Sequence, residues 1–162
     1  MELPVIPRQL LEEAVIEGNV YYFEANSSFG VPGHMHVCVK RADRLLFFST
    51  CSSQIQTARL LSQRFGWDIN TFPVYASNQA TNKFKEPLTY VNCNRCYDIA
   101  VSAFVDLMEK GEVRLLQGRF TMADLELIGN GVLKSTQIPR EVKVLFAGDG
   151  GPKQAEGLPV GE

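Results

Sequence analysis

The chain has 162 residues, of which 45% are hydrophobic and 21% charged, with a formal net charge of −2. This gives room for one domain with a real core but not for two ordinary ones, and it excludes both a disordered chain and a strongly basic nucleic-acid binder. No apolar run nears the roughly 20 residues of a bilayer span, and Met1-Glu2-Leu3-Pro4 lacks the layout of a signal peptide. A cytoplasmic protein without membrane association is therefore expected, with Cys38, Cys51, Cys93 and Cys96 as thiols.

Residues 7–17 have proline in the first turn, apolar side chains at 10, 11, 14 and 15, and Gly18 as a stop, the pattern of a short amphipathic helix. Residues 19–25 are β-branched and aromatic and predict a strand. A loop with Gly30 and Gly33 leads into a second strand through Lys40, where the period of two turns Met35, Val37 and Val39 to one face and His34, His36, Cys38 and Lys40 to the other. The first face reads as core. The second, which carries both histidines of the chain, is either a solvated polar surface or a working one.

A tight turn at 42–44 leads to a third strand, 45–50, which ends in the hydroxyl cluster Thr50, Ser52 and Ser53. Pairing residue 40 with 45 places His36 near Ser49 and His34 near Cys51, and a one-residue slip exchanges Thr50 and Cys51 on the histidine face. Ser52 or Ser53 is a candidate cap for a helix at 55–65, stopped by Gly66, from which Arg59 and Arg64 reach outward. Residues 71–76, with Pro73, predict an edge strand, and 88–93 a fifth strand that delivers Asn92, Asn94 and Arg95 to its end.

Asp98 is a candidate cap for a helix running to about 110, and residues 112–120 predict a further strand or two short ones. Thr121 and Asp124 have the spacing of a capping box before a last helix, after which 135–146 reads as irregular or extended. The glycine-rich stretch 147–162 reads as a disordered tail behind a single domain, 1–146. The expected architecture is α+β and mainly β: a small antiparallel barrel with three to four helices outside it.

Charge is unevenly spread. Residues 40–95 hold eight basic side chains against Asp43, Asp68 and Glu86, a balance of +5 that leaves −7 for the rest, compatible with a polyanionic partner. Cys93 and Cys96 form a lone CxxC without a second ligand pair, no glycine-framed nucleophile is present, and no phosphate-binding glycine motif occurs, so neither metal nor cofactor is expected.

Three places resemble the MazF/PemK endoribonuclease toxins: Gly33-His34 before the second strand, Cys51-Ser52-Ser53-Gln54 after the third, and Gly118-Arg119-Phe120 before Leu125. The likeness spans residues 18 to about 134, with helices at 55–65 and 98–110 in addition. It implies an SH3-like barrel, a homodimer, metal-independent cleavage of single-stranded RNA by 2′-hydroxyl attack, and an antitoxin partner. The family's arginine before the second strand falls here on Met35, with His36 beside it, and an acidic residue of some members falls on Asn92 or Asn94.

RNA cleavage needs a base, an acid and cations. In this chain His34 and His36 are candidates for proton transfer, with Thr50 and Ser52 as hydroxyl donors. Lys40, Arg41, Ser53, Asn92, Asn94 and Arg95 are candidates for holding the strand. The alternative is a non-catalytic RNA- or protein-binding module that keeps the toxin-like barrel.

Overall fold

A computed structural model describes residues 6–78, 81 and 83–149. The order is α1 (Arg8–Ala14), β1 (Asn19–Phe23), β2 (His34–Ala42), β3 (Leu45–Ser52), α2 (Ile55–Phe65), a single 3-10 turn (Ile69–Thr71), β4 (Val74–Ala76) and β5 (Leu88–Val91). Then follow β6 (Tyr97–Ala100), α3 (Val101–Glu109), β7 (Val113–Arg119), α4 (Met122–Lys134) and α5 (Arg140–Asp149). None of the described helices is long and apolar enough to cross a membrane.

All strand pairs are antiparallel, in the order β4-β5-β3-β2-β1-β7, with β6 lying beside β5 on the same edge of β3. The sheet is curled into a half-barrel. Its two ends approach each other: the side chains of Tyr75 of β4 and Phe84 of the following loop pack on Phe120 at 4.9 and 5.4 Å, and the backbone Arg119 N–H donates to the Thr81 carbonyl at 3.0 Å. Among the described residues no ladder joins β4 to β7.

Both faces of the sheet are covered. Inside the curl, Val20, Val37, Cys51, Val91 and Phe120 meet Ile128 and Val132 of α4 and Phe146 of α5. Outside it, Tyr21, Phe23, Cys38 and Phe48 meet Val15 and, from α3, Phe104 and Leu107. A third cluster joins Ala58 of α2 to Phe72 and Tyr90.

This double cover corrects the expectation of one core face and one polar face on β2, where residues 36–40 are all buried. The alternation also breaks. Cys38 pairs with Phe48 and Lys40 with Phe47, so Val39 is the extra residue of a bulge, and the bulge turns Lys40 to the inner side, with Nζ 5.7 Å from the Phe146 ring centre. A buried aliphatic stem under an ammonium is the ordinary arrangement for lysine at the rim of a core.

Further expectations are revised. Residues 140–149 form α5 instead of an extended segment, because α4 offers an apolar surface against which Val142, Leu145 and Phe146 pack. The tail expected from 147 begins inside this helix, and its part beyond 149 lies outside the described residues. Asp98 belongs to β6, paired with Phe47, and α3 starts after Ala100 without a side-chain cap. Nor does Ser52 or Ser53 cap α2: Gln54 holds that position, and the Ser52 hydroxyl accepts its N–H at 3.1 Å. The capping box of Thr121 and Asp124 is formed, with bonds of 3.1 and 2.9 Å, and the described residues form five α-helices where three to four were expected.

Candidate functional site

The turn between β2 and β3 is tighter than the expected pairing. Ala42 pairs with Leu45, so the register slips and His36 faces Thr50 while Met35 faces Cys51. His34 and His36 do share the outer face, opposite Phe23 and Tyr21 of β1, but their surroundings differ completely. His34 is exposed at the strand start, its Nδ1 3.1 Å from the Pro32 carbonyl.

His36 has no solvent exposure. The Val31 N–H donates to its Nε2 at 3.1 Å, which makes that nitrogen the acceptor and places the proton on Nδ1, 3.1 Å from the His34 carbonyl. Burial pushes its pKa down to about 4. Both ring nitrogens are committed to backbone, so the ring holds the 26–33 loop against the sheet. It is not free to transfer a proton to a substrate.

Lys40 and Arg41 lie toward the opposite end of β2. The Arg41 guanidinium donates to the carbonyls of Glu12 and Val15 at 2.6 and 2.8 Å, and its backbone N–H donates to Glu17. That arrangement anchors the end of α1. Ser52 pairs with Tyr90 across the strands, and its hydroxyl is within hydrogen-bonding reach of the Tyr90 phenol. The Ser53 carbonyl accepts the Ile55 N–H at the start of α2.

The remaining candidates converge. Asn92, Asn94 and Arg95 line a cleft of about 540 Å³ formed by Trp67, the β5–β6 connection with the start of β6, and the 137–142 segment that leads into α5. Asn94 shapes its base: the buried amide donates to the Thr71 hydroxyl at 2.8 Å and accepts from the Ser135 hydroxyl at 2.7 Å. Ser135 in turn accepts the Gln137 N–H at 3.0 Å, which ties the far wall to the same network.

Arg95 is exposed, and its guanidinium lies over the Tyr97 ring, 4.8 Å from the centroid, within the range of a cation–π contact. Tyr97 meets His36 edge to face at 5.9 Å, and the Asn92 N–H donates to the Thr50 carbonyl at 3.0 Å. Thus His36 and Thr50 back the cleft without entering it. Asp98 adds one carboxylate to the lining.

Trp67 and Tyr97 are the site residues that sequence reasoning passed over. A sole tryptophan placed just after the Gly66 helix stop, and a tyrosine two residues past Arg95, were the available signals.

The cysteines offer no primed nucleophile. Burial pushes Cys38 up to about 12 and Cys96 to about 11, and raises Cys51 and Cys93 as well. Cys93 points at the Ile128 carbonyl and Cys96 at the Ser49 hydroxyl. Among the described residues no group of three His, Cys, Asp or Glu side chains is placed to hold a metal ion. Comparison with family models, curated proteins and solved structures finds no match for this chain.

Proposed function

We propose that this chain is a non-catalytic module that binds single-stranded RNA, taking an unstacked base in the cleft beside Trp67 and the stacked Arg95 and Tyr97. The observation that carries this reading is the composition of the cleft: two aromatic rings, an exposed guanidinium with no ion pair among the described residues, and the Asn92 amide. Single strands are held by such aromatic faces with a cation nearby, whereas duplexes are met through phosphates and shape. The positive balance of residues 40–95 favours the approach of a polyanion to a chain that is acidic overall.

In this reading the curled sheet is a divergent SH3-like barrel of the MazF/PemK kind, acting in the cytoplasm as a homodimer with an antitoxin-like protein partner. Endonuclease activity is the lesser reading, because His36 has neither an open ring nitrogen nor a pKa near neutrality.

Fluorescence anisotropy with a labelled RNA of about eight nucleotides, a length typical of single-strand sites, tests the proposal. Binding should weaken as salt rises, by roughly 0.7 in log–log slope for each phosphate neutralised, and Arg95→Ala should reduce affinity with the RNA recovered intact. RNA fragments would restore the nuclease reading. Salt-independent binding, or an Arg95→Ala protein that binds like wild type, would remove the cleft as the RNA site.

A further inference from the structure

The cleft does not end at Trp67. Phe65, the last residue of α2, stacks on the Trp67 ring with centroids 5.0 Å apart and planes at 25°, and Trp67 continues to Phe72 at 6.3 Å and 24°. Phe65 is 55% exposed, so part of its ring remains open to solvent while Trp67 supports it. An exposed phenylalanine alone is ordinary on a protein surface. This one extends a stack of aromatic rings that reaches into the cleft.

The helix that carries it has the charge a nucleic-acid strand requires. From Ile55 to Phe65, α2 has Arg59 and Arg64 and no acidic residue, although the chain as a whole is net negative. Both arginines are exposed, and neither forms an ion pair among the described residues. Exposed cations next to an aromatic stack combine the two contacts that hold single strands without sequence preference: phosphate neutralisation and base stacking.

Resting on the cleft as the RNA site, we infer that the bound strand leaves it past Trp67 and crosses the C-terminal end of α2, stacking a second base on Phe65 and placing backbone phosphate near Arg64. The site then spans at least two consecutive bases, and it favours strands long enough to reach both rings over a single nucleotide.

Trp67 is the only tryptophan in the chain and reports on both positions. Its fluorescence is titrated with uridine monophosphate and with an oligouridylate of about eight nucleotides, for wild type, Phe65→Ala, Phe65→Tyr and Arg64→Gln. The expected result is quenching by both ligands. Phe65→Ala should lose about ten-fold in affinity for the oligonucleotide, the worth of one stacked base, and nothing for the mononucleotide. Phe65→Tyr should keep the affinity, and Arg64→Gln should lower the salt slope by roughly 0.7.

If Phe65→Ala binds the oligonucleotide as wild type does, the track over α2 is refuted while the cleft stands. If neither ligand quenches Trp67 in the wild type, the cleft reading fails, and the track with it. Circular dichroism of each variant separates lost binding from lost fold.

Discussion

The imidazole of His36 lies flat on the ring of Phe23, with centroids 3.7 Å apart and planes 11° from parallel. Gly30 runs across this pair at φ 71°, and a Cβ there would sit 2.6 Å from Phe23 Cε2 and 2.9 Å from His36 Nε2. Gly33 has nearly the same backbone, φ 77°, but nothing within 4 Å of its Cβ position. The two glycines therefore separate left-handed strain from steric conflict. Gly33→Ala should cost about 1 kcal/mol and Gly30→Ala about 3 kcal/mol or more, read from urea midpoints. Equal losses would mean that the loop lifts off the ring pair freely.

Arg41 and Arg95 were equal candidates in the sequence and should separate in experiment. The Arg41 guanidinium satisfies two carbonyls at the end of α1, so Arg41→Ala should lower stability by about 2–3 kcal/mol and leave RNA affinity unchanged. Arg95 is exposed over Tyr97, so Arg95→Ala should do the reverse. Thermal unfolding and anisotropy on the same preparations decide this. A loss of RNA binding in Arg41→Ala at unchanged stability would move the site to the other end of β2.

Local signals were legible where one physical cause dominated. The Thr121–Asp124 box, the Gly66 stop and the β1–β2–β3 meander follow from capping, left-handed backbone and strand alternation, and each is present. What the sequence hid depended on packing partners far along the chain. Strict alternation puts His34, His36, Cys38 and Lys40 on a polar outer face of β2, yet Phe23, Phe48 and Phe104 of other elements bury the middle of that face, and the bulge takes Lys40 off it. The Val39 bulge leaves no mark in a period-two pattern, and α5 depends on the surface that α4 presents to it. For the site, Asn92, Asn94 and Arg95 could be read as polar groups at a strand end. Their partner walls at Trp67 and 137–142 are separated from them by about 25 and 40 residues and carry no shared pattern.

Asn94 bonds to Thr71 and Ser135, so its removal should be felt beyond its own volume. In Asn94→Ala the Ser135 hydroxyl loses its acceptor and the Thr71 hydroxyl loses a donor, both in buried surroundings. A destabilisation of about 2–4 kcal/mol is expected from the unmet groups and the space left behind. Amide hydrogen exchange should quicken at Gln137, whose N–H bonds to the Ser135 hydroxyl. Unchanged exchange there would show that the 137–142 segment is held by Ile138 packing alone.

The last prediction concerns acid. His36 is neutral in the folded protein, with its pKa pushed down to about 4 by burial against an ordinary value of 6.5. As pH falls below 6.5 the unfolded chain takes up a proton that the folded chain refuses until about pH 4, so unfolded molecules bind more protons and stability declines through that window. At about 1.4 kcal/mol per pH unit the loss from this one ring is roughly 3 kcal/mol. His36→Gln keeps an acceptor for the Val31 N–H and has no proton to exchange. The variant should be less stable than wild type at pH 7.5, where the stack and both ring bonds are intact, and the difference should shrink toward pH 4. The depressed carboxyl of Glu112, held by the Ser28 backbone and hydroxyl, titrates in both proteins and cancels in the comparison. Urea unfolding of the pair at half-unit pH steps measures this difference directly. Parallel stability curves across the window would show that His36 is not kept neutral by its burial on Phe23, which would reopen it as a group able to carry a proton.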